Sequence, residues 1–250
     1  MTSDGNAPPP WPGGFFMPRY RPLVSGAWEI RMLPLGIMPG YWSPPAPVRD
    51  VPILLRDRVS WMSLTPNEIE SQGVGISFAR GHVLLMGLGL GWAAAACAAL
   101  PTVSAVTVVE RDADVLALHE ALDILAQLPA EARAKLRIVA GDALAYTADR
   151  PVDLLLPDIW QTLVGDDRVE QVRAMQANVR ASSIHFWGQE LEIARHARAA
   201  GRALDDRGIA ATVADFGLPL VGPTYPGYAE KAAAAADRWM ANRWLPVRHA

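Results

Sequence analysis

Gly87, Gly89 and Gly91 follow directly on the apolar run Val83-Leu84-Leu85-Met86, and Glu110, Asp142 and Asp158 each follow a later apolar run. A glycine turn behind a buried strand lets the backbone bend sharply and approach a ligand, and it aims the N–H groups of the next helix at that ligand. Glu110 falls close to the ~20-residue interval at which a carboxylate on the next strand tip meets ribose hydroxyls. Asp142, in Gly141-Asp142-Ala143, stands at a third strand tip, where it can accept a hydrogen bond from an adenine amino group while Ala143 leaves room. Asp158 opens Asp158-Ile159-Trp160 at a fourth tip. Three acids at successive strand ends, on the rim that carries the glycine turn, favour a binding site over coincidence.

The spacing discriminates between ligands. A dinucleotide fingerprint G-x-G-x-x-G needs a small residue at position 92, where the helix packs tightly and a pyrophosphate must fit, and Trp92 stands there. A G-x-G-x-G turn with an acidic second-strand tip suits a nucleoside without a pyrophosphate, such as S-adenosylmethionine: the loop holds the amino-acid tail and the carboxylate the ribose. A nicotinamide cofactor, and a glycine turn beside a solvated glutamate with no ligand, stay open as alternatives.

Positioning these residues requires a parallel sheet. Val83–Met86 and Val106–Val109 read as strands buried on both faces, with an alanine-rich helix from Trp92 to Leu100 between them, ended by Pro101. A helix over Ala113–Leu128 with Val115, Leu118, Leu122 and Leu125 inward, and strands over Leu136–Ala140 and Val152–Leu156, continue the alternation. Later, Arg168–Arg180 and Gln189–Leu204 read as helices, the latter with Glu190 and Glu192 on a solvated face. Ser183–Trp187 reads as a fifth strand holding a packed His185, Ile209–Val221 as a final strand and Ala229–Trp239 as a terminal helix. Ahead of the sheet, Thr65, Pro66 and Glu68 form a capping-box signature opening a short helix through about Gln72. That helix lies near the carboxyl ends of the strands, so Glu68, Glu70 and Gln72 are either site groups or capping and solvent contacts.

Composition sets the frame. At 250 residues and 51% hydrophobic content the chain can bury a full core. Twelve of the 21 prolines lie in residues 1–60, which nearly rules out regular helix there. Residues 1–60 therefore read as a Pro-rich extension or lid, with its first dozen residues without fixed structure, strand-like pieces at Trp28–Met32 and Pro52–Leu55 and a turn at Pro39-Gly40. Residues 61–250 read as the main domain. The extension's aromatics (Phe15, Phe16, Tyr20, Trp28, Tyr41, Trp42) either pack it onto that domain or cover a substrate. Cys97, the only cysteine, excludes an internal disulfide and reads as a packing residue. No apolar run is long enough for a membrane span, the proline run at the N-terminus is unlike a signal peptide, and a net charge of −3 gives no reason to expect nucleic acid. The expectation is a soluble cytoplasmic protein without membrane or nucleic-acid partners; no metal site is implied by the scattered histidines, and a homodimer is left open.

Val83–Gly91, Val106–Asp112, Gly141-Asp142-Ala143 and Asp153–Asp158 together resemble the successive motifs of class I S-adenosylmethionine-dependent methyltransferases, nearest the spermidine synthase-like branch. The resemblance covers about residues 80–160. It implies an α/β fold, a doubly wound mostly parallel sheet of the Rossmann-like methyltransferase kind, with the β-containing extension in front. It implies Gly87, Gly89 and Gly91 at the methionine tail, Glu110 on the ribose, Asp142 at the adenine and Asp158 near the reacting centre; Leu88, Arg111, Ala143 and, from the preceding helix, Gln72 are the further cofactor-binding candidates, and Asp158 is the catalytic candidate, with Trp160 walling the acceptor pocket. The implied cofactor is S-adenosylmethionine, the product S-adenosylhomocysteine and the partner a small-molecule acceptor. Aminopropyltransferases of that branch carry an aspartate inside the glycine loop where this chain has Leu90. Methyl transfer is therefore the primary expectation, beside an aminopropyltransferase or a noncatalytic nucleoside-binding relative.

Overall fold

The computed structural model describes residues 14–247, so the expected unstructured N-terminal dozen residues lie outside the described residues. The chain opens with an antiparallel meander, β1 (Leu23–Ser25), β2 (Trp28–Met38), β3 (Ala46–Arg56) and β4 (Val59–Ser63), paired in that order. The strands are longer than the sequence suggests. β1 pairs only with Trp28–Ile30, so Pro34 lies on a stretch of β2 with a free edge, where a residue lacking an N–H is tolerated. Asp57 and Arg58, both at positive φ, close the β3–β4 hairpin as a two-residue turn matched to strand twist.

Helix α1 (Pro66–Ser77) runs five residues beyond its expected end at Gln72. A Cβ at Gly75 would come within 2.7 Å of the His185 ring, so close packing there offsets glycine's low helix propensity. The capping box does not form: Thr65 makes no side-chain cap, and Glu68 turns inward.

The main sheet follows as β5 (Gly81–Met86), α2 (Trp92–Ala99), β6 (Val103–Glu110), α3 (Ala113–Leu122), α4 (Ala130–Arg133), β7 (Leu136–Ala140) and β8 (Leu154–Pro157), then α5 (Arg168–Val179), α6 (Gln189–Ala199), α7 (Asp206–Phe216) and α8 (Tyr228–Trp239). The parallel order β7-β6-β5-β8 places the crossover reversal between β5 and β8, the position at which open α/β sheets bind ligands. Val83 and Leu85 face the α2–α3 layer and Leu84 and Met86 the α5–α7 layer, so the sheet is covered on both sides and is doubly wound. The N-terminal sheet joins the first of these cores through Trp28, Ile30 and Leu54.

Several later expectations are corrected. The helix expected over Ala113–Leu128 breaks at Asp123, which adopts a left-handed conformation, and a 3-10 turn from Ile124 to Gln127 buries Ile124 in place of Leu125. Ile209–Val221 is not a strand. Asp205 caps α7 by accepting from Gly208 N–H, Ile209, Thr212 and Phe216 face inward at helical spacing, and Gly217 ends it; only the stretch after it, at Leu220, bridges to Ile184. Ser183–Trp187 does lie beside β8, with His185 N–H donating to Leu155 O at 3.1 Å and Trp187 N–H to Pro157 O at 3.0 Å, although it forms only isolated bridges. Glu190 and Glu192 are buried, not solvated: Glu190 meets His185 and Tyr41, and Glu192 meets Arg195 and the Gly165 N–H. Helix α6 also stops at Ala199, ahead of Gly201 at positive φ.

Candidate functional site

Between the carboxyl ends of the strands and the N-terminal sheet lies a cleft. Gly87, Gly89, Glu110, Arg111, Asp142, Ala143, Asp158 and Trp160 all line it. Leu88, Gly91 and Gln72 instead line a small adjoining inner cavity, and the two spaces share Met62, Gly87, Asp158 and Trp187. The structure thus brings these residues to two adjoining spaces.

The glycine turn needs its glycines. Gly87 has φ +101°, and a Cβ there would lie 2.1 Å from the Asp158 carbonyl oxygen; Gly91 has φ +72° and caps α2 without a side chain. The uncapped first turn of α2 leaves N–H groups able to receive a carboxylate. Glu110 spans the adjacent strand tip, accepting Leu88 N–H at 3.0 Å and Asp112 N–H at 2.8 Å, which fixes its carboxylate with lone pairs to spare. Asp142 is held by Leu144 N–H through one oxygen. From the other side Trp28 donates to Asp112 at 2.9 Å and stacks edge-on to Trp61, so the extension roofs this rim. The remaining aromatics of the extension pack: Phe15 edges onto Trp92, Tyr20 donates to Leu90 O, and Tyr41 donates to Glu190.

At the junction of the two spaces, Gln72 Nε2 donates to Glu68 and to Asp158, at 2.8 Å each. Burial pushes the Asp158 carboxyl up to about 7, with the Arg168 guanidinium pulling it back down. Burial first, and the Asp158 carboxylate second, hold Glu68 well above the usual carboxylate range. Among the described residues neither acid forms an ion pair. Arg168 lies behind this wall, its guanidinium 3.9 Å from the Trp160 ring, and it donates to the carbonyls of Thr162, Leu163 and Trp187. Trp160 in turn donates to Gln171 at 2.6 Å, so its ring is fixed as a wall of the cleft.

Sequence reasoning missed the weight of Glu68, which the helix-start signature disguised as a capping residue, and of Met62, Trp61 and Trp187, which carry no spacing rule. Glu70 belongs elsewhere: it accepts from Trp42 N–H, Ser43 N–H and Ser43 Oγ and anchors the turn after β2. His185 is packed and hydrogen-bonded to Glu190 at 3.2 Å, and it also borders the inner cavity. Cys97 is buried in α2 and its thiol is pushed up to about 12, which suits packing and not nucleophilic attack. No helix among the described residues is long and apolar enough to cross a membrane.

No family model matches this chain, and no curated protein matches it. Solved structures that overlap with it include the glycopeptide N-methyltransferase MtfA complexed with S-adenosyl-L-methionine, at 24% identity over 40% of this chain and 42% of that one, with a TM-score of 0.32. A DhpI–SAH complex overlaps at 22% identity over 42% and 45%, TM-score 0.31, and the methyltransferase domain of bacterial CtHen1 at 15% over 38% and 48%, TM-score 0.29. The chain spans less than half the length of each of these proteins. The chemistry is therefore read from the site's own geometry.

Proposed function

We propose that the cleft binds S-adenosylmethionine and that the protein transfers its methyl group to a small-molecule acceptor. The observation that supports this reading is the convergence of the uncapped glycine turn, the Glu110 carboxylate, Asp142 and Asp158 on one cleft, an arrangement that suits a tail, a ribose and an adenine. A sulfonium methyl is already activated, so the residues' work is to align the acceptor and exclude water. In the transfer the sulfur–methyl bond breaks as the acceptor–methyl bond forms, and the acceptor's proton passes to Asp158. Its raised pKa makes Asp158 a usable base near neutrality, and transfer should rise with pH through about 7 as it ionises.

Tritiated methyl donor incubated with an acceptor library tests this directly. Incorporation by the wild type, with the donor KM raised about a hundredfold by Glu110→Ala, is the expected result. An unchanged donor KM in Glu110→Ala would remove Glu110 from the donor site.

One observation favours a second reading. Among the described residues no cation is in contact with either carboxyl of the Glu68–Asp158 pair, and a ligand ammonium would supply one. That suits an aminopropyl donor lacking the α-carboxylate, or an amine acceptor. Tighter binding of decarboxylated S-adenosylmethionine than of the parent compound would shift the assignment to aminopropyl transfer.

A further inference from the structure

Buried beneath the glycine turn lies His119 of α3, outside the set of residues that line either space. Its Nε2 is 2.8 Å from the Gly89 carbonyl oxygen. A carbonyl only accepts, so Nε2 carries the hydrogen and donates. Nδ1 is buried with no hydrogen-bond partner, and burial holds the ring's pKa below its ordinary value, so the imidazole is the neutral Nε2–H form. The ring lies close under the turn: a Cβ at Gly91 would come within 2.3 Å of His119 Cε1 and 2.6 Å of Ile124.

The consequence follows from peptide planarity. Gly89 C=O and Leu90 N–H belong to one peptide unit, none of the described peptides is cis, and the two groups of a trans peptide point in opposite directions. With the carbonyl tied down to His119, the Leu90 N–H must point away from it, and it does, meeting Met62 Sδ at 3.3 Å. Met62 borders both the cleft and the inner cavity, whereas Leu90 is buried and lines neither, so this N–H is separated from the junction by the Met62 thioether. The next carbonyl, Leu90 O, is likewise taken from behind, by the Tyr20 hydroxyl at 3.0 Å. A thioether is a weak acceptor, and a carboxylate oxygen would replace it with a charge-assisted hydrogen bond.

We infer that His119 is a positioning residue for the donor turn: its Nε2–H fixes the Gly89–Leu90 peptide so that the Leu90 N–H serves as a donor to the carboxylate of an amino-acid tail, which displaces Met62 Sδ. This inference rests on the S-adenosylmethionine reading for its ligand, but the hold of His119 on the peptide does not.

Two measurements separate these parts. In backbone amide hydrogen exchange on the unliganded full chain, His119→Leu, which fills the space without a donor, should speed exchange across Leu88–Trp92 at least tenfold and leave β5 and β6 unchanged. His119→Gln, whose amide can reach the same carbonyl, should restore wild-type exchange. In calorimetric titration with S-adenosylhomocysteine, His119→Leu should weaken binding about tenfold and His119→Gln less than threefold. His119→Asn, too short to reach Gly89 O, stands in should the leucine variant fail to fold. Unchanged exchange and unchanged affinity in the donor-less variant would overturn the inference. If the wild type binds no S-adenosylhomocysteine, the donor reading and the tail-binding role of Leu90 fail together; the exchange result alone then decides whether His119 holds the peptide.

Discussion

Asp158→Asn is expected to make the protein more stable at pH 8 and to stop transfer. The carboxyl at this position titrates near 7 in the folded chain because burial disfavours its charge, whereas in the unfolded chain it titrates near its ordinary value of 3.8. Between those values the folded state binds more protons than the unfolded one, so stability falls as pH rises from about 4 to about 7. The asparagine removes that loss and can still accept from Gln72, which donates to Asp158 at 2.8 Å. Linkage alone sets an upper bound of about 4 kcal/mol. Opening of the carboxylate onto the cleft and its coupling to Glu68 reduce the gain to about 1 kcal/mol, or roughly 2–4 °C in melting temperature for a chain of this size. Thermal melts at pH 5 and pH 8 should show a clearly larger gain at pH 8 than at pH 5, while the transfer rate falls about 10²–10⁴-fold. A variant destabilised equally at both pH values would show that the Asp158 charge is compensated in the fold, and an unchanged rate would take it out of the mechanism.

Gly87→Ala is expected to be among the most damaging single-methyl additions in the domain. The position combines φ +101° with a Cβ site 2.1 Å from the Asp158 carbonyl oxygen, so both the backbone and the β5–β8 junction must move. Gly217 supplies the control. Its φ is +63°, and a Cβ there meets nothing within 4 Å, so Gly217→Ala carries the left-handed strain alone, about 1–2 kcal/mol. Urea denaturation should place Gly87→Ala at least 2 kcal/mol below Gly217→Ala, with loss of donor binding wherever the variant still folds. Equal midpoints for the two would mean that the strand tips yield easily at this point.

How far the sequence could be read follows from what each signal depends on. The glycine turn, Glu110, Asp142 and Asp158 are legible because strand tips in a parallel sheet recur at intervals set by βα units, so spacing alone brings them to one rim. The second layer of the site is not legible by such rules. Glu68 sits at the third position of a helix with proline at its start, where capping is the ordinary explanation, and only the fold shows it facing Asp158 across Gln72. Glu190 and Glu192 read as a solvated helix face because their partners, Tyr41 from 149 residues earlier and the Gly165 N–H from the loop before α5, are remote in sequence. Ile209–Val221 misleads for a different reason: its apolar residues suit strand or helix, and the deciding features are the Asp205 cap and Gly217 terminator on either side.

Calorimetric titration of the full chain with S-adenosylhomocysteine, run beside NAD, tests the central claim most directly. The arrangement of the glycine turn, Glu110 and Asp142 predicts micromolar affinity for S-adenosylhomocysteine, lost in Glu110→Ala, and no heat with NAD. Failure of S-adenosylhomocysteine to bind, or tighter binding of NAD, would contradict it.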